Sequence, residues 1–337
     1  MRVALVTQMW PTPDDPDLGS FLVPLVRELR AAGHEVEVCA IARRGGPPTK
    51  YARLAGAAVA SVRRTRPDVV FAHFLFPAGA AGLAAARAAR VPLVVMAHGQ
   101  DVANLDRPFL RVATRPVVRG AGAVIANSRW LATRLEAHYP GLGCEVCDLG
   151  VDLRLFEPTA ADAAVDWPGE RPRFLCVGSL IERKNVVGLA DAFAALGRGS
   201  LAFLGDGPLR AALEGRPGVH LAGRVEHDAV PAWVGASDVV CQPSLREPFG
   251  QAVLEAMAME RTVVATAEGG PPEFVTPAAG VLVDPRDGTA LRAALDRAAA
   301  MPRPNPAARA AAAEHDVRRQ AERMATVLEA AVRGGGR

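Results

Sequence analysis

Short, largely apolar runs rich in β-branched residues alternate with stretches whose apolar positions recur every three or four residues. In the first half the runs are Val3–Thr7, Glu35–Ile41, Asp68–Ala72, Pro92–Ala97, Ala123–Ala126 and Glu145–Leu149. Between the first two lies "FLVPLVRELRAAG", whose spacing predicts a helix closed by Gly33. Apolar strands joined by crossover helices imply a parallel sheet covered on both faces. The pattern pauses at 155–172, "LFEPTAADAAVDWPGERP", a Pro- and acid-rich stretch with no sustained period that reads as a linker. It restarts with Phe174–Val177, Leu201–Leu204, Val219–Leu221, Val239–Gln242, Val263–Thr266 and Val281–Val283. Two doubly wound α/β domains follow, 1–155 and 156–305, then a terminal segment, 306–337, with one helix to about 333 and a Gly-rich tail. Ligands are expected at the C-terminal ends of the strands and in a cleft between the domains.

The totals change this picture little. The 337 residues, 50% hydrophobic and 5% aromatic, suit two globular cores. A net charge of +3, without an aromatic stacking platform or zinc-finger spacing, argues against nucleic acid. Three of the five cysteines (Cys39, Cys176, Cys241) sit in apolar runs, so buried free thiols in a reducing cytosol are expected. "MRVALVTQ" has no signal-peptide architecture, and no apolar run approaches the roughly 18 residues of a membrane helix. The expected location is cytoplasmic, with a peripheral contact at the inner face of the membrane left open. Of the 39 basic side chains only Lys50 and Lys184 are lysine, which singles out both.

A dinucleotide dehydrogenase needs G-x-G-x-x-G directly after a strand; here "QMWPTPDDPDLGSF" follows the first strand, and "GDGPLR" lacks the third glycine. "CEVC" (144–147) is a lone pair that reads as strand residues rather than a zinc or redox site. "REPFGQAVLEAMA" (246–258) is richer. It reads as a loop carrying Glu247, then Phe249 and Gly250 at a helix N-terminus, where free amides and the helix dipole favour an anion. Glu255, over a turn deeper in an apolar helix, could accept hydrogen bonds from the vicinal hydroxyls of a ribose. "VGSLIERKN" (177–185) leaves a strand at the same sheet edge and supplies Arg183 and Lys184 as cationic partners for a diphosphate. In the first half His98, beside Gly99, closes "VVMAHG", with a structural role and a functional one equally open; His73 reads as structural. At Gly19 and Ser20, a phosphate contact competes with a plain N-cap.

The chain resembles the retaining glycosyltransferases of family 4, which have the GT-B fold of two Rossmann-like domains facing an interdomain cleft. The resemblance runs through "HGQD" (98–101), "ANS" (126–128), "LGVD" (149–152), "VGSLIERKN", "FLGDGPLR" (203–210), "LREPFGQAVLEAMA" and "GGPPE" (269–273). It implies a nucleotide-diphospho-sugar donor held mainly by the second domain, and a glycan, lipid or small-molecule hydroxyl as acceptor. It matches Lys184 to a diphosphate-binding lysine, Glu255 to the ribose, and Glu247 with Pro248–Gly250 to the donor sugar. His98 matches a first-domain group near the reacting carbon. The donor-binding set also takes in Gly19, Ser179, Arg183, Arg224, Val225 and Phe249. No metal and no cofactor are implied, and the terminal helix is expected to pack back toward the first domain. Three positions depart from the family pattern: Ser179 replaces a common arginine, Pro248 a common glycine, and Glu260-Arg261 a helix-ending glycine. A GT-B sugar-nucleotide epimerase and a catalytically silent sugar-nucleotide-binding subunit are the competing readings. The segment 43–66 holds seven basic residues (Arg43, Arg44, Lys50, Arg53, Arg63, Arg64, Arg66) and no acid. It reads as a solvated helix face, with anionic lipid as the rival partner.

Overall fold

A computed structural model describes residues 1–42, 45–158 and 165–335; Arg43, Arg44 and the middle of the expected linker lie outside them. The chain divides into two compact units, Met1–Leu149 with Val317–Arg337, and Gly150–Asp316. Among the described residues each unit contains one six-stranded sheet, and every pairing is parallel.

The first sheet comprises β1 (Arg2–Thr7), β2 (Glu35–Ala40), β3 (Val69–His73), β4 (Leu93–Ala97), β5 (Ala123–Ala126) and β6 (Glu145–Val146), in the order β2-β1-β3-β4-β5-β6. The second comprises β7 (Arg173–Val177), β8 (Ser200–Leu204), β9 (Val219–Gly223), β10 (Val239–Gln242), β11 (Thr262–Thr266) and β12 (Gly280–Val283), in the order β12-β11-β10-β7-β8-β9. Alternate strand residues enter different cores. Val3 and Leu5 pack on one face and Ala4 and Val6 on the other; Phe174 and Cys176 face one way and Leu175 the other. Burial on both faces is why these strands are continuously apolar.

Strand order decides where a ligand can sit. In the second sheet the chain runs β7 to β8 to β9 in one direction, returns to β10 beside β7, and continues outward. The loops leaving β7 and β10 therefore diverge at a switch point, the place where open α/β sheets bind ligands. The helix Gln251–Ala258 follows β10, with Val253, Leu254, Glu255, Ala256, Met257 and Ala258 all buried. It lies within the second core alongside Ala308 and Ala312 of the helix Pro306–Ala313, so its apolar character on every side is a packing requirement.

Three elements differ from the sequence reading. Strand β6 is only two residues long, because it pairs with Ile125 and Ala126 alone at a sheet edge. The first long helix starts at Leu22, after a turn in which the Gly19 and Ser20 carbonyls accept from the Leu22 and Val23 amides; Ser20 is not its cap. The terminal segment is two helices, Pro306–Ala313 in the second unit and Val317–Gly334 in the first. Of the latter, Ala321, Met324, Ala325, Leu328 and Ala331 join Val3, Leu5, Leu22 and Leu25 in one core. The five cysteines are free thiols; burial pushes Cys176 up to about 12, and Cys241 is also raised, by burial and the nearby Cys176. Among the described residues no helix is long and apolar enough to cross a membrane.

Glu260 takes the left-handed conformation (φ +56°) that a helix-ending glycine would otherwise occupy. Arg261 then donates to the Val234 and Gly235 carbonyls, at 3.2 and 2.9 Å. A side chain at positive φ costs about 1–2 kcal/mol. Glu260→Gly is therefore expected to stabilise the protein by about 1 kcal/mol in urea unfolding, once the extra freedom of glycine in the unfolded chain is counted. A neutral or destabilising result would show that the Glu260 side chain contributes more than its strain.

Candidate active site

The loops that diverge from β7 and β10 meet through one ion pair. Lys184 ends a short 3-10 turn, Glu182–Lys184, and Glu247 lies in the loop before the helix Gln251–Ala258. The Lys184 Nζ stands 2.6 Å from the Glu247 Oε2, with the two side chains 17% and 10% exposed. The Ser244 hydroxyl donates to the same oxygen at 2.9 Å. Burial would raise the Glu247 carboxyl, but the Lys184 and Arg183 charges and the Lys184 and Ser244 hydrogen bonds hold it below its usual value. The carboxylate is thus ionised and fixed in position. Arg183 lies on the same turn; its guanidinium donates to the Arg246 carbonyl at 3.2 Å, and its own carbonyl accepts from the Leu245 amide at 2.9 Å. The two loops are stitched together on both sides of the ion pair.

The shape of the Glu247 loop is imposed from the loop after β11. The Gly270 amide donates to the Glu247 carbonyl at 2.9 Å. Gly269 sits at φ +127°, where a Cβ would overlap that carbonyl, and a Cβ on Gly270 would lie 2.6 Å from the Phe249 Cα. "GGPPE" is therefore a seat for the loop. Gly250, at φ +107°, opens the helix with no side-chain cap; its carbonyl accepts from the Val253 and Leu254 amides, and the Gln251 and Ala252 amides ahead of them carry the partial positive charge of the helix start. The Phe249 ring packs 5.5 Å from Phe274.

Glu255 is buried, only 7% exposed, and burial pushes its carboxyl up to about 8, with a hydrogen bond from Gln251 opposing the shift. A surface acid is excluded. At neutral pH in the unliganded protein it is predominantly the neutral acid, where the sequence led one to expect a carboxylate. The Gln251 Nε2 donates to the Gly150 carbonyl at 2.9 Å, while its Oε1 is buried without a partner.

The remaining second-unit positions flank this centre. Ser179 is exposed on the loop after β7, which is braced by the Leu180 amide donating to the Asp206 carbonyl at 3.0 Å. Pro248 precedes Phe249 in the Glu247 loop. Arg224 and Val225 follow β9, the first exposed and the second half-buried. Among the described residues no group of three or more His, Cys, Asp or Glu could hold a metal ion.

In the first unit His98 follows β4 and its Nε2 lies 2.9 Å from the Nδ1 of His73, the last residue of β3. Burial lowers both imidazoles, His98 to about 4, so the pair is neutral at physiological pH. Phe21 and Phe74 pack on the His98 ring, with centroids 5.5 and 4.4 Å away. Asp101 builds the turn beneath: its carboxylate accepts from the His98, Gly99, Val102 and Leu75 amides at 3.0, 2.8, 3.1 and 2.9 Å. Gly19 sits against Met9, whose backbone oxygen would be 2.8 Å from an added Cβ. Sequence reasoning missed Asp101, Ser244 and the contact of His73 with His98. The first two carry weak local signals: an acid three residues after His98 and a hydroxyl three before Glu247.

The family model for Glycosyltransferase Family 4 matches residues 18–155, and that for Glycosyl transferases group 1 matches residues 171–300. The chain is 31% identical over 324 residues to a GDP-mannose-dependent alpha-mannosyltransferase of Mycolicibacterium smegmatis, covering 84% of each protein. It is 28% identical over 258 residues to the putative teichuronic acid biosynthesis glycosyltransferase TuaC of Bacillus subtilis, covering 73% of this chain and 66% of that one. Its fold is similar to that of Anabaena HepE solved in complex with UDP-glucose (TM-score 0.77, 21% identity, 98% and 100% of the two chains).

The raised Glu255 value has a measurable signature. Between about 4.5 and about 8 the folded protein retains a proton that the unfolded chain releases, so stability falls as pH rises across that window. Glu255→Gln removes this titration. Chemical denaturation from pH 5 to pH 9 should show the variant gaining on wild type as pH rises; parallel profiles would mean that Glu255 is solvated.

Proposed function

The chain belongs to the group 1 and family 4 glycosyltransferases with the GT-B fold, and from that premise we propose that it moves a sugar, with retention of anomeric configuration, from a nucleotide-diphospho-sugar to a hydroxyl acceptor. The observation that carries this reading is the Lys184–Glu247 pair at the switch point of the second sheet, beside an uncapped helix N-terminus. Breaking a glycosyl–phosphate bond leaves negative charge on the departing diphosphate. Lys184, Arg183 and the amides at the start of the Gln251–Ala258 helix are cationic or partly positive groups already in place to receive it. No metal ion is invoked. Glu247, ionised and fixed by Lys184 and Ser244, orients the donor sugar through its hydroxyls. Glu255 receives the ribose hydroxyls. In this reading the acceptor attacks the face from which the diphosphate leaves, and a phosphate oxygen takes the acceptor proton. The support for a role of His98 near the reacting carbon is the family resemblance and its position at the C-terminal edge of β4.

A relative named for GDP-mannose and a similar fold solved with UDP-glucose support the donor class without choosing its base. A thermal-shift series with UDP-, GDP- and ADP-sugars should raise the melting temperature by several degrees with at least one of them, supplied at about a hundred times its Kd. No shift with any of the three would remove the donor assignment. With that donor carrying a labelled sugar, label should pass to an added acceptor; epimerised or unchanged donor would overturn transfer. Lys184→Met and Glu247→Gln should each lower turnover roughly 100-fold or more. Removing one partner of a buried pair also destabilises by about 3–5 kcal/mol, so turnover is compared at a temperature where melting curves show both variants folded. Rates within a fewfold of wild type would refute both roles.

A further inference from the structure

The helix Pro108–Gly120 of the first unit presents a face that its own unit leaves uncovered. Among the described residues the two most exposed large hydrophobic side chains, Phe109 at 77% and Val112 at 69%, both lie on it. They are three residues apart, with exposed Pro116 one turn further, so the three form one strip. Arg107, Arg111, Arg115 and Arg119 follow at four-residue intervals alongside, all exposed, and the helix contains no acid. Among the described residues none of these four guanidinium groups is paired with a carboxylate. The opposite side of the helix, with Thr114, Val117 and Val118, is buried, so the exposed face is held rather than mobile. Arg111, Arg115 and Arg119 also line an open cavity of about 620 Å³, whose other wall is His138 to Gly143. Asp106, just before the helix, holds its carboxylate 3.4 Å from the His138 Nε2.

An occupant has to satisfy both halves of this face. A soluble anion would leave Phe109 and Val112 in water, and an apolar partner would desolvate four cations with nothing to neutralise them. An anionic bilayer surface meets both demands, with apolar side chains at the acyl boundary and arginines among the phosphates. We propose that the helix Pro108–Gly120 docks the protein on an anionic phospholipid surface, Phe109 and Val112 entering the acyl boundary while Arg111, Arg115 and Arg119 engage headgroup phosphates. The helix Thr49–Thr65, where charge alone suggested a lipid contact, has no exposed strip of large apolar residues, and its Arg64 is paired with Glu37 at 2.8 Å.

The test is cosedimentation of the full chain with phosphatidylcholine vesicles and with vesicles that also contain phosphatidylglycerol, without sugar nucleotide. Binding should require the anionic lipid and weaken as salt is raised. The double variant Phe109→Ser/Val112→Ser should bind roughly tenfold or more weakly, and Arg111→Ala or Arg115→Ala about fivefold more weakly. Arg53→Ala/Arg63→Ala should bind as wild type does. Failure to bind anionic vesicles, indifference to the Phe109/Val112 change, or loss on changing Arg53 and Arg63 would each overturn the proposal. So would a vesicle-free dimer that Phe109→Ser/Val112→Ser dissociates, because the face would then belong to a second copy. Capture of an acidic protein in place of vesicles would do the same. No donor is present, so vesicle binding and the transfer chemistry stand or fall separately.

Discussion

A lysine and a glutamate 63 residues apart come within 2.6 Å of each other because β7 and β10 are neighbours. Two charges that are mostly withdrawn from water tolerate one another's loss poorly, and the surrounding structure is arranged so that neither has to move. Ser244 holds one carboxylate oxygen, Gly269 and Gly270 press the Glu247 backbone into place, and the Arg183 and Leu245 backbones tie the two loops together. The Gln251–Ala258 helix continues from this loop into the core of the second unit. Its position, and with it the burial of Glu255, is inherited from the loop and the packing around it.

Much of the fold was legible because the inner strands of both sheets are buried on two faces, and such strands are written as unbroken apolar runs. The exceptions have physical causes. At β6 the apolar run continues beyond Val146 although its neighbour offers pairing for two residues only. The chain from 306 to 334 keeps helix-forming composition throughout, but it is divided where the Val151 amide takes the His315 carbonyl and Asp316 bridges to Val151. That break is a tertiary event, and composition carries no trace of it. Glu260 is the converse case: a residue poorly suited to a left-handed turn occupies one because its neighbour Arg261 secures the turn from outside.

At the candidate site, residue identities were legible and their protonation states were not. Lys184 and Glu247 were identifiable from spacing and from the scarcity of lysine. Nothing in the local sequence says that Glu255 is held as a neutral acid or that His98 leans on a second neutral imidazole, because both follow from burial. Asp101 shows the limit most plainly. Its carboxylate serves four amides, one of them at Leu75, 26 residues away, and only the assembled sheet brings that one within reach.

The helix Val317–Gly334 lays Met324 and Leu328 into the same core as Leu5 and Leu25. Residues from the first 149 positions and from the helix beginning at Val317 thus share a single hydrophobic interior, while Gly150–Asp316 forms an uninterrupted body. During synthesis on the ribosome the second body can therefore complete itself first. The earlier one emerges from the exit tunnel sooner but must wait, with one wall of its interior missing, until residues 317–334 have been made.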